Sequence, residues 1–403
     1  MEMSASKKVL FVSGSVGLGH VGRDVAVANH LRALRPGTVI HWMAGDPARV
    51  YLRDKGEVLA PGSEDFDQGT EVLEEGAKEY TADLLEFTTE LMVSFNRNGK
   101  RVWETIEGGG YDLVIYDEAY EVAIYADRNQ DKMNLVPIVG LVDFFGTYSD
   151  PKDLREHWIR WKRNRQWIRY IKVSVPIPDL YLFFGELEDV PDQALGLFLP
   201  NARRLASRGK MQFVGYPLQF DPQEIDRSAL RRKFGYGEEK VVLCTIGGTS
   251  VGRPLIELCI GAHLIAKESL PGLKMVLALG PHLGKEGLPL PPGIEALGYE
   301  PMLYERMAAA DLVICSGGGT TTLEVTALGR PFLYFPLLNH FEQQKIVASR
   351  CERFAAGVRM DFARTTPRLL AEEVARWTGG GMEHRPMRLD GAKRAAEKIQ
   401  KLL

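Results

Sequence analysis

Short apolar runs alternate with longer amphipathic stretches along the whole chain, and this alternation restricts the fold more than any other feature. KKVLFVS, TVIHWM, YDLVIYD, NLVPIVGLV and DLYLFF read as strands in the first half. KVVLCTIGG, LKMVLALG, IEALGY, ADLVICSGGG and RPFLYFP read as strands in the second, and helical stretches such as Val21–Leu34 and Pro254–Glu268 lie between strands. Near-continuous apolar strands separated by helices imply parallel sheets covered on both faces, because a crossover is needed to bring the chain back in parallel. A length of 403 residues exceeds one ordinary core and predicts two domains. The break falls in FVGYPLQFDPQEIDRSAL, 213–230, where Gly215, Pro217 and Pro222 precede a polar run and a new helix start at Ser228. Each half then carries about five or six strands, one doubly wound domain apiece. The expected domains are 1–216 and 217–403, with the last helix, 386–403, a candidate to pack back on the first.

Composition narrows the function classes. Hydrophobic residues at 45% and charged residues at 26% are ordinary for a soluble globular protein. A formal net charge of −3 gives no global pull toward nucleic acid or an anionic membrane, so nucleic acid is not expected as a partner. The apolar stretch behind Lys7 and Lys8 ends at Ser13, too soon for a secretory signal, and no run approaches the ~20 apolar residues that span a bilayer. Cys244, Cys259, Cys315 and Cys351 lack C-x-x-C spacing and sit in apolar contexts, which reads as reduced, buried thiols in a cytoplasmic protein. No His/Cys/Asp set has metal-ligand spacing. The D-x-D of Asp65 and Asp67 lies in a polar stretch with no strand before it and reads as a solvated turn.

Three Gly-rich turns join a strand to a helix: GSVGLGH (14–20), IGGTSVG (246–252) and CSGGGTTTLE (315–324). Such turns expose backbone N–H groups at a helix start, where the dipole favours an anion. One such loop often serves only to start a helix tightly against its strand. Two in the C-terminal half suit a diphosphate held from two sides, by Gly247, Gly248 and Thr249 and by Gly317, Gly318, Gly319, Thr320 and Thr321. Glu324 sits in the first helical turns after the third loop, where a carboxylate can accept from the two vicinal hydroxyls of a ribose. After the next strand, FPLLNHFEQQ clusters His340, Glu342, Gln343 and Gln344 at a strand end, and side-chain amides suit sugar hydroxyls. The first loop contains a literal G-x-G-x-x-G (Gly17, Gly19 and Gly22), with Asp46 as a passable ribose acid for a nicotinamide enzyme. That reading leaves both C-terminal loops and Glu324 without a role.

A catalytic pair is legible in the first half. His20 ends the first loop, and free imidazole titrates near 6.5, which suits a base that deprotonates a hydroxyl. Asp117 ends the strand of YDLVIYD. Strand ends of one parallel sheet share an edge, so Asp117 can orient the His20 ring and stabilise its cation, as the acid does in a serine-hydrolase triad.

The segment ADLVICSGGGTTTLEVTALGRPFLYFPLLNHFEQQKIVASRCERFAAGV resembles the donor-binding segment of GT-B nucleotide-sugar glycosyltransferases, the group around the peptidoglycan N-acetylglucosaminyltransferase and the UDP-glycosyltransferases. GGTSVG resembles their first C-domain loop, VGYP their domain junction, and GSVGLGHVGRDVAVANHLRAL their opening loop and helix. The resemblance implies two Rossmann-like doubly wound parallel-sheet domains facing across a cleft, acceptor-binding first and nucleotide-sugar-binding second. It implies an inverting, metal-independent transfer from a UDP-sugar, or as second choice a dTDP-sugar, to a hydroxyl of a small-molecule or lipid acceptor. His20 would be the base oriented by Asp117, Gly17 and Gly19 part of the acceptor loop, Glu324 the ribose ligand, and the 340–344 cluster the sugar ligands. No cofactor beyond the co-substrate is expected. Tyr299–Met302 would meet the base through backbone groups. Ser316 stands where this group often has a phosphate-contacting His or Arg. A UDP-sugar 2-epimerase and a non-catalytic nucleotide-sugar-binding protein share the donor loops and remain the alternatives.

KDLREHWIRWKRNRQWIRYIK, 152–172, carries eight Lys/Arg against two acids. Leu154, Trp158, Trp161 and Ile168 fall on one helical stripe flanked by Arg155, Lys162, Arg165 and Arg169, a pattern that suits an anionic membrane surface or the mouth for a phosphorylated lipid. The other reading packs the tryptophans on their own domain. The membrane's inner face is therefore a candidate site of peripheral attachment.

Overall fold

The computed structural model describes residues 6–14, 18–67, 80–132, 135–172, 177–248 and 250–403. The chain divides into two compact units. Unit 1 comprises Met1–Thr70, Leu84–Gln219 and Arg388–Leu403, and unit 2 comprises Glu71–Asp83 and Phe220–Met387.

Unit 1 is built on strands β1 (Lys8–Ser13), β2 (Val39–Met43), β3 (Val58–Leu59), β4 (Leu113–Asp117), β5 (Ile138–Val142), β6 (Leu180–Phe184) and β7 (Met211–Gly215). They form one sheet in the order β3-β2-β1-β4-β5-β6-β7, parallel throughout. Val9, Leu10, Phe11 and Val12 of β1 are wholly buried, as a strand covered on both faces must be. Phe11 stacks on Trp42 with ring centroids 4.5 Å apart. Helix Gly19–Leu34 follows β1, and the terminal helix Gly391–Ile399 packs against it. Chain order runs outward from β1 to β3 on one side and from β4 to β7 on the other, so the sheet's switch point lies between β1 and β4. Their register pairs Ser13 with Asp117.

Unit 2 repeats the plan with β8 (Val241–Thr245), β9 (Lys274–Ala278), β10 (Ile294–Leu297), β11 (Leu312–Ser316), β12 (Phe332–Phe335) and β13 (Val358–Arg359), in the order β10-β9-β8-β11-β12-β13. Its switch point lies between β8 and β11. Two doubly wound parallel sheets agree with the expected fold class. The seven strands of the first sheet exceed the five or six expected. The two-residue β3 is too short to show a pattern, and the MQFVG of β7 runs straight into the Gly215 and Pro217 that mark the junction. All four cysteines are free and buried, as expected, with Cys259 Sγ 3.4 Å from Cys244 Sγ. Among the described residues, no helix is long and apolar enough to cross a membrane.

Candidate functional site

In open α/β sheets, ligands bind outside the carboxyl ends of the strands at the switch point, where neighbouring loops part in opposite directions. Both groups of sequence-selected residues lie there, each in its own unit.

In unit 1, His20 is the second residue of helix Gly19–Leu34, one step further into the helix than a loop end, and Asp117 is the last of β4. His20 Nδ1 stands 3.3 Å from Asp117 Oδ2. Asp117 is wholly buried, while the His20 side chain keeps 17% of its surface exposed and can meet a ligand. A Cβ on Gly14 would come within 3.0 Å of the Asp117 carbonyl, so the chain passes tightly between these two elements. Gly19 opens the helix, whereas Gly17 lies outside the described residues.

The residue that organises this pair, Arg23, carries no motif that marks it in the sequence. Arg23, one turn after His20 and 6% exposed, donates from Nε to Asp117 Oδ2 (2.8 Å) and from Nη2 to Asp117 Oδ1 (2.7 Å). Its Nη1 donates to Asp143 Oδ2, and its Nη2 stands 2.8 Å from His20 Nδ1. Burial alone would raise the Asp117 carboxyl, but the Arg23 guanidinium and then His20 override it and hold Asp117 at about 2. Asp143, beside the same guanidinium, is likewise held well below the usual carboxylate range. Burial pushes Glu118 and Asp24 the other way, helped by the neighbouring Asp143 and Asp117 charges respectively. Glu118 adopts φ 51°, a left-handed conformation rare for a residue with a Cβ, and its Oε2 lies 3.7 Å from His20 Nε2. Sequence offered one signal for Arg23, its i+3 spacing from His20, and none for Asp143.

In unit 2, the loops after β8 and β11 are neighbours because their strands pair, Thr245 beside Cys315. Ser316 Oγ donates to the Ile246 carbonyl (3.4 Å), so this serine joins the two loops. Gly247 has φ 79°, the left-handed turn that glycine takes without strain. Gly248 follows it, and Thr249 lies outside the described residues. Helix Gly319–Ala327 has Gly318 at its N-cap and no side-chain cap, so the N–H groups of Gly319, Thr320 and Thr321 at its first turn are left for a ligand or water. Gly317 is required by close approach, since a Cβ there would lie 2.9 Å from Pro336 Cα and 3.1 Å from Gln343 Oε1. Glu324 is 6% exposed in the second turn. Arg350, absent from the sequence reading, reaches this first turn from helix Ala348–Phe354 and donates to the Gly319 carbonyl and Thr322 Oγ1.

The segment after β12 is a six-residue π-helix, Glu342–Val347, a geometry frequent at functional sites. Gln343 Oε1 accepts from Leu337 N (2.9 Å), whereas Gln344 Nε2 donates to the carbonyls of Pro336 (3.2 Å) and Leu337 (2.9 Å). Gln344 Oε1 accepts from Arg359, so this amide ties the loop to β13. Enclosure lowers the His340 imidazole to about 4, which keeps it neutral, and its Nδ1 accepts from Gln343 N at 3.4 Å. A further brace comes from the segment before residue 84. Tyr80 Oη donates to the Phe335 carbonyl (2.7 Å), and Thr81 bridges to Leu338. Tyr299–Met302 form the connection between β10 and helix Leu303–Ala309.

The fold and the two switch-point clusters define the GT-B architecture of glycosyltransferases. Over 99% of this chain and 95% of the other, the glycotransferase of kitacinnamycin superposes with a TM-score of 0.60 at 18% identity. MurG of Acinetobacter baumannii superposes over 98% and 99% with a TM-score of 0.52 at 15% identity. Residues 242–403 match the family described as Glycosyltransferase family 28 C-terminal domain. The UDP-N-acetylglucosamine--N-acetylmuramyl-(pentapeptide) pyrophosphoryl-undecaprenol N-acetylglucosamine transferase of Mycobacterium sp. (strain KMS) is 33% identical over 176 residues, 41% of this chain and 46% of that protein. The protein of the same name from Mycobacterium tuberculosis (strain ATCC 25177 / H37Ra) is 30% identical over 198 residues, 47% of this chain and 46% of that protein. The match thus spans about half the length of these curated relatives.

Proposed function

We propose that the protein is an inverting glycosyltransferase that moves a sugar from a UDP-sugar to an acceptor hydroxyl. The observation that carries this reading is the uncapped first turn of helix Gly319–Ala327 at the switch point of unit 2, within the segment that matches family 28. Backbone N–H groups of Gly319–Thr321 and of the Gly247–Gly248 turn receive the diphosphate, Arg350 adds a positive charge there, and Glu324 takes the ribose hydroxyls. His340, Glu342 and Gln343 face the sugar, while Gln344 shapes their loop. In the reaction, His20 takes the acceptor proton on Nε2 and the acceptor oxygen bonds to the anomeric carbon. The bond from that carbon to the β-phosphate oxygen breaks with both electrons going to UDP. Oriented N–H groups and the helix dipole stabilise the leaving diphosphate, which is why the reading needs no metal ion. One base and no second nucleophile suit a single displacement, hence inversion.

UDP at about 100 times its Kd should stabilise the protein by about 2.7 kcal/mol, roughly 5–10 °C in Tm. Glu324→Ala should abolish the shift while leaving the unliganded Tm near that of the parent. A shift with dTDP and none with UDP would overturn the assignment of the donor, and UDP release independent of any acceptor would overturn transfer.

The acceptor is read as lipid-linked, from the face of helix Leu154–Ile171. Asp153 caps this helix by accepting from Glu156 N (2.8 Å). Trp167 turns inward against Tyr120, Phe144 and Phe145, and Ile171 is fully buried. Leu154 (87%), Trp158 (57%), Leu197 (74%) and Phe198 (96%) stay exposed, with Lys162 Nζ 4.2 Å over the Trp158 ring. Basic side chains around exposed aromatic and aliphatic ones fit an anionic headgroup layer. Vesicles containing phosphatidylserine should sediment the protein and pure phosphatidylcholine vesicles should not. Removing Lys162 or Arg165 should weaken binding about fivefold each, from ~1 kcal/mol per basic residue at such a surface. Equal binding to both vesicle types would refute the surface.

A further inference from the structure

We propose that Arg23 is a positioning residue that selects the tautomer of His20, holding the resting imidazole with its proton on Nε2. A guanidinium carries N–H donors only, so an atom facing it at hydrogen-bond distance must offer a lone pair. Arg23 Nη2 lies 2.8 Å from His20 Nδ1 and 2.7 Å from Asp117 Oδ1, so each of its two hydrogens has an acceptor. The competing arrangement, in which Nδ1–H donates to Asp117 Oδ2, spans 3.3 Å. That oxygen already accepts from Arg23 Nε at 2.8 Å. Were Nδ1 protonated, two N–H groups would point at each other across the 2.8 Å contact with Nη2. The guanidinium is pinned at its far side, where Nη1 bonds Asp143, so it cannot pivot out of the way without losing an ion pair.

The other groups around the ring do not reverse this choice. Glu118 Oε2, 3.7 Å from Nε2, is beyond hydrogen-bond reach but on the side where an Nε2 proton is favoured. Asp24 accepts from Ser13 Oγ at 2.6 Å. The proposal rests on the reading of His20 as the base and adds a condition to it. With its proton on Nε2, the ring is a donor and cannot accept from a hydroxyl there. Nε2 gains a lone pair only when its proton passes to solvent water and Nδ1, released by Nη2, takes a proton from water and donates it to Asp117, so switching on the base costs one hydrogen bond and a water-mediated tautomer exchange.

The test is a long-range proton–nitrogen correlation spectrum of the full chain labelled with ¹⁵N-histidine, at a pH above the ordinary imidazole range, with His20→Gln identifying the His20 signals. The parent should show the Nε2–H pattern. Arg23→Lys keeps a positive charge between Asp117 and Asp143, but its single nitrogen cannot also reach Nδ1, so His20 should move to the Nδ1–H pattern. An Nδ1–H pattern in the parent overturns the proposal, and needs no variant to fold. So does an Nε2–H pattern that persists in Arg23→Lys. The UDP-induced shift in Tm, measured on the same samples, judges the transferase reading separately, because tautomer and donor binding are read from different units of the chain.

Discussion

His20→Ala is expected to lower kcat by about 10²–10⁴-fold, the range that a positioned general base contributes, while the UDP-induced shift in Tm persists. The two readouts separate because His20 belongs to unit 1 and the proposed diphosphate ligands to unit 2. Asp117→Asn should cost a large part of the same factor, since an amide cannot stabilise the imidazolium as a buried carboxylate does. The double variant should be little worse than His20→Ala alone, as residues acting through one another are strongly non-additive. Turnover close to the parent's in His20→Ala would sink the assignment of the base. Multiplicative losses in the double variant would show that Asp117 acts elsewhere than through His20.

The closeness of His20 to Asp117 was legible because strand ends in a parallel sheet share an edge, here with Ser13 beside Asp117. The strand-to-helix turns of unit 2 were legible for a similar reason, since glycine clusters between a strand and a helix report on the backbone itself. What escaped was burial chosen by distant partners. Arg23 in a helix's first turns reads as a solvated charge until Asp117 and Asp143, far along the chain, close around it. Side-chain direction escaped too. Gln343 and Gln344 are adjacent and alike in sequence, yet Gln344 spends Nε2 on the Pro336 and Leu337 carbonyls and Oε1 on Arg359 of β13, whereas Gln343 spends only Oε1, on Leu337 N. The tryptophans of helix Leu154–Ile171 divide between both readings that their spacing allowed, Trp167 packed inward and Trp158 outward. Periodicity identifies a stripe but cannot say which of two stripes the domain will cover.

Arg23→Met should destabilise unit 1 by about 3–5 kcal/mol at neutral pH, the usual cost of leaving a buried charge without its partner. Methionine fills the stem's volume, so the loss is electrostatic rather than a cavity, and the pH dependence reveals this. In the parent, Asp117 and Asp143 have folded-state pKa values below their unfolded ones. Such groups contribute stability that is fully present above the unfolded value near 3.9 and is lost as pH falls through the folded value, for Asp117 about 2. Without the guanidinium, burial dominates and raises both carboxyls, which reverses the sign. The variant is then penalised above pH ~4, where the unfolded chain ionises freely, and relieved below it. Glu118 and Asp24 are raised by burial in the parent and lose the lowering charge of Arg23 in the variant, so they shift in the same direction as the two aspartates and add to the effect. The gap in Tm between parent and variant should therefore be widest near pH 7, narrow as pH falls toward about 4 and the variant's buried carboxyls protonate, and close further toward pH 2 as the parent loses its own ion pairs. A gap of constant width across that interval would mean that Arg23 holds the fold through packing alone. The four hydrogen bonds that it shares with Asp117, Asp143 and His20 would then carry no charge-dependent stability.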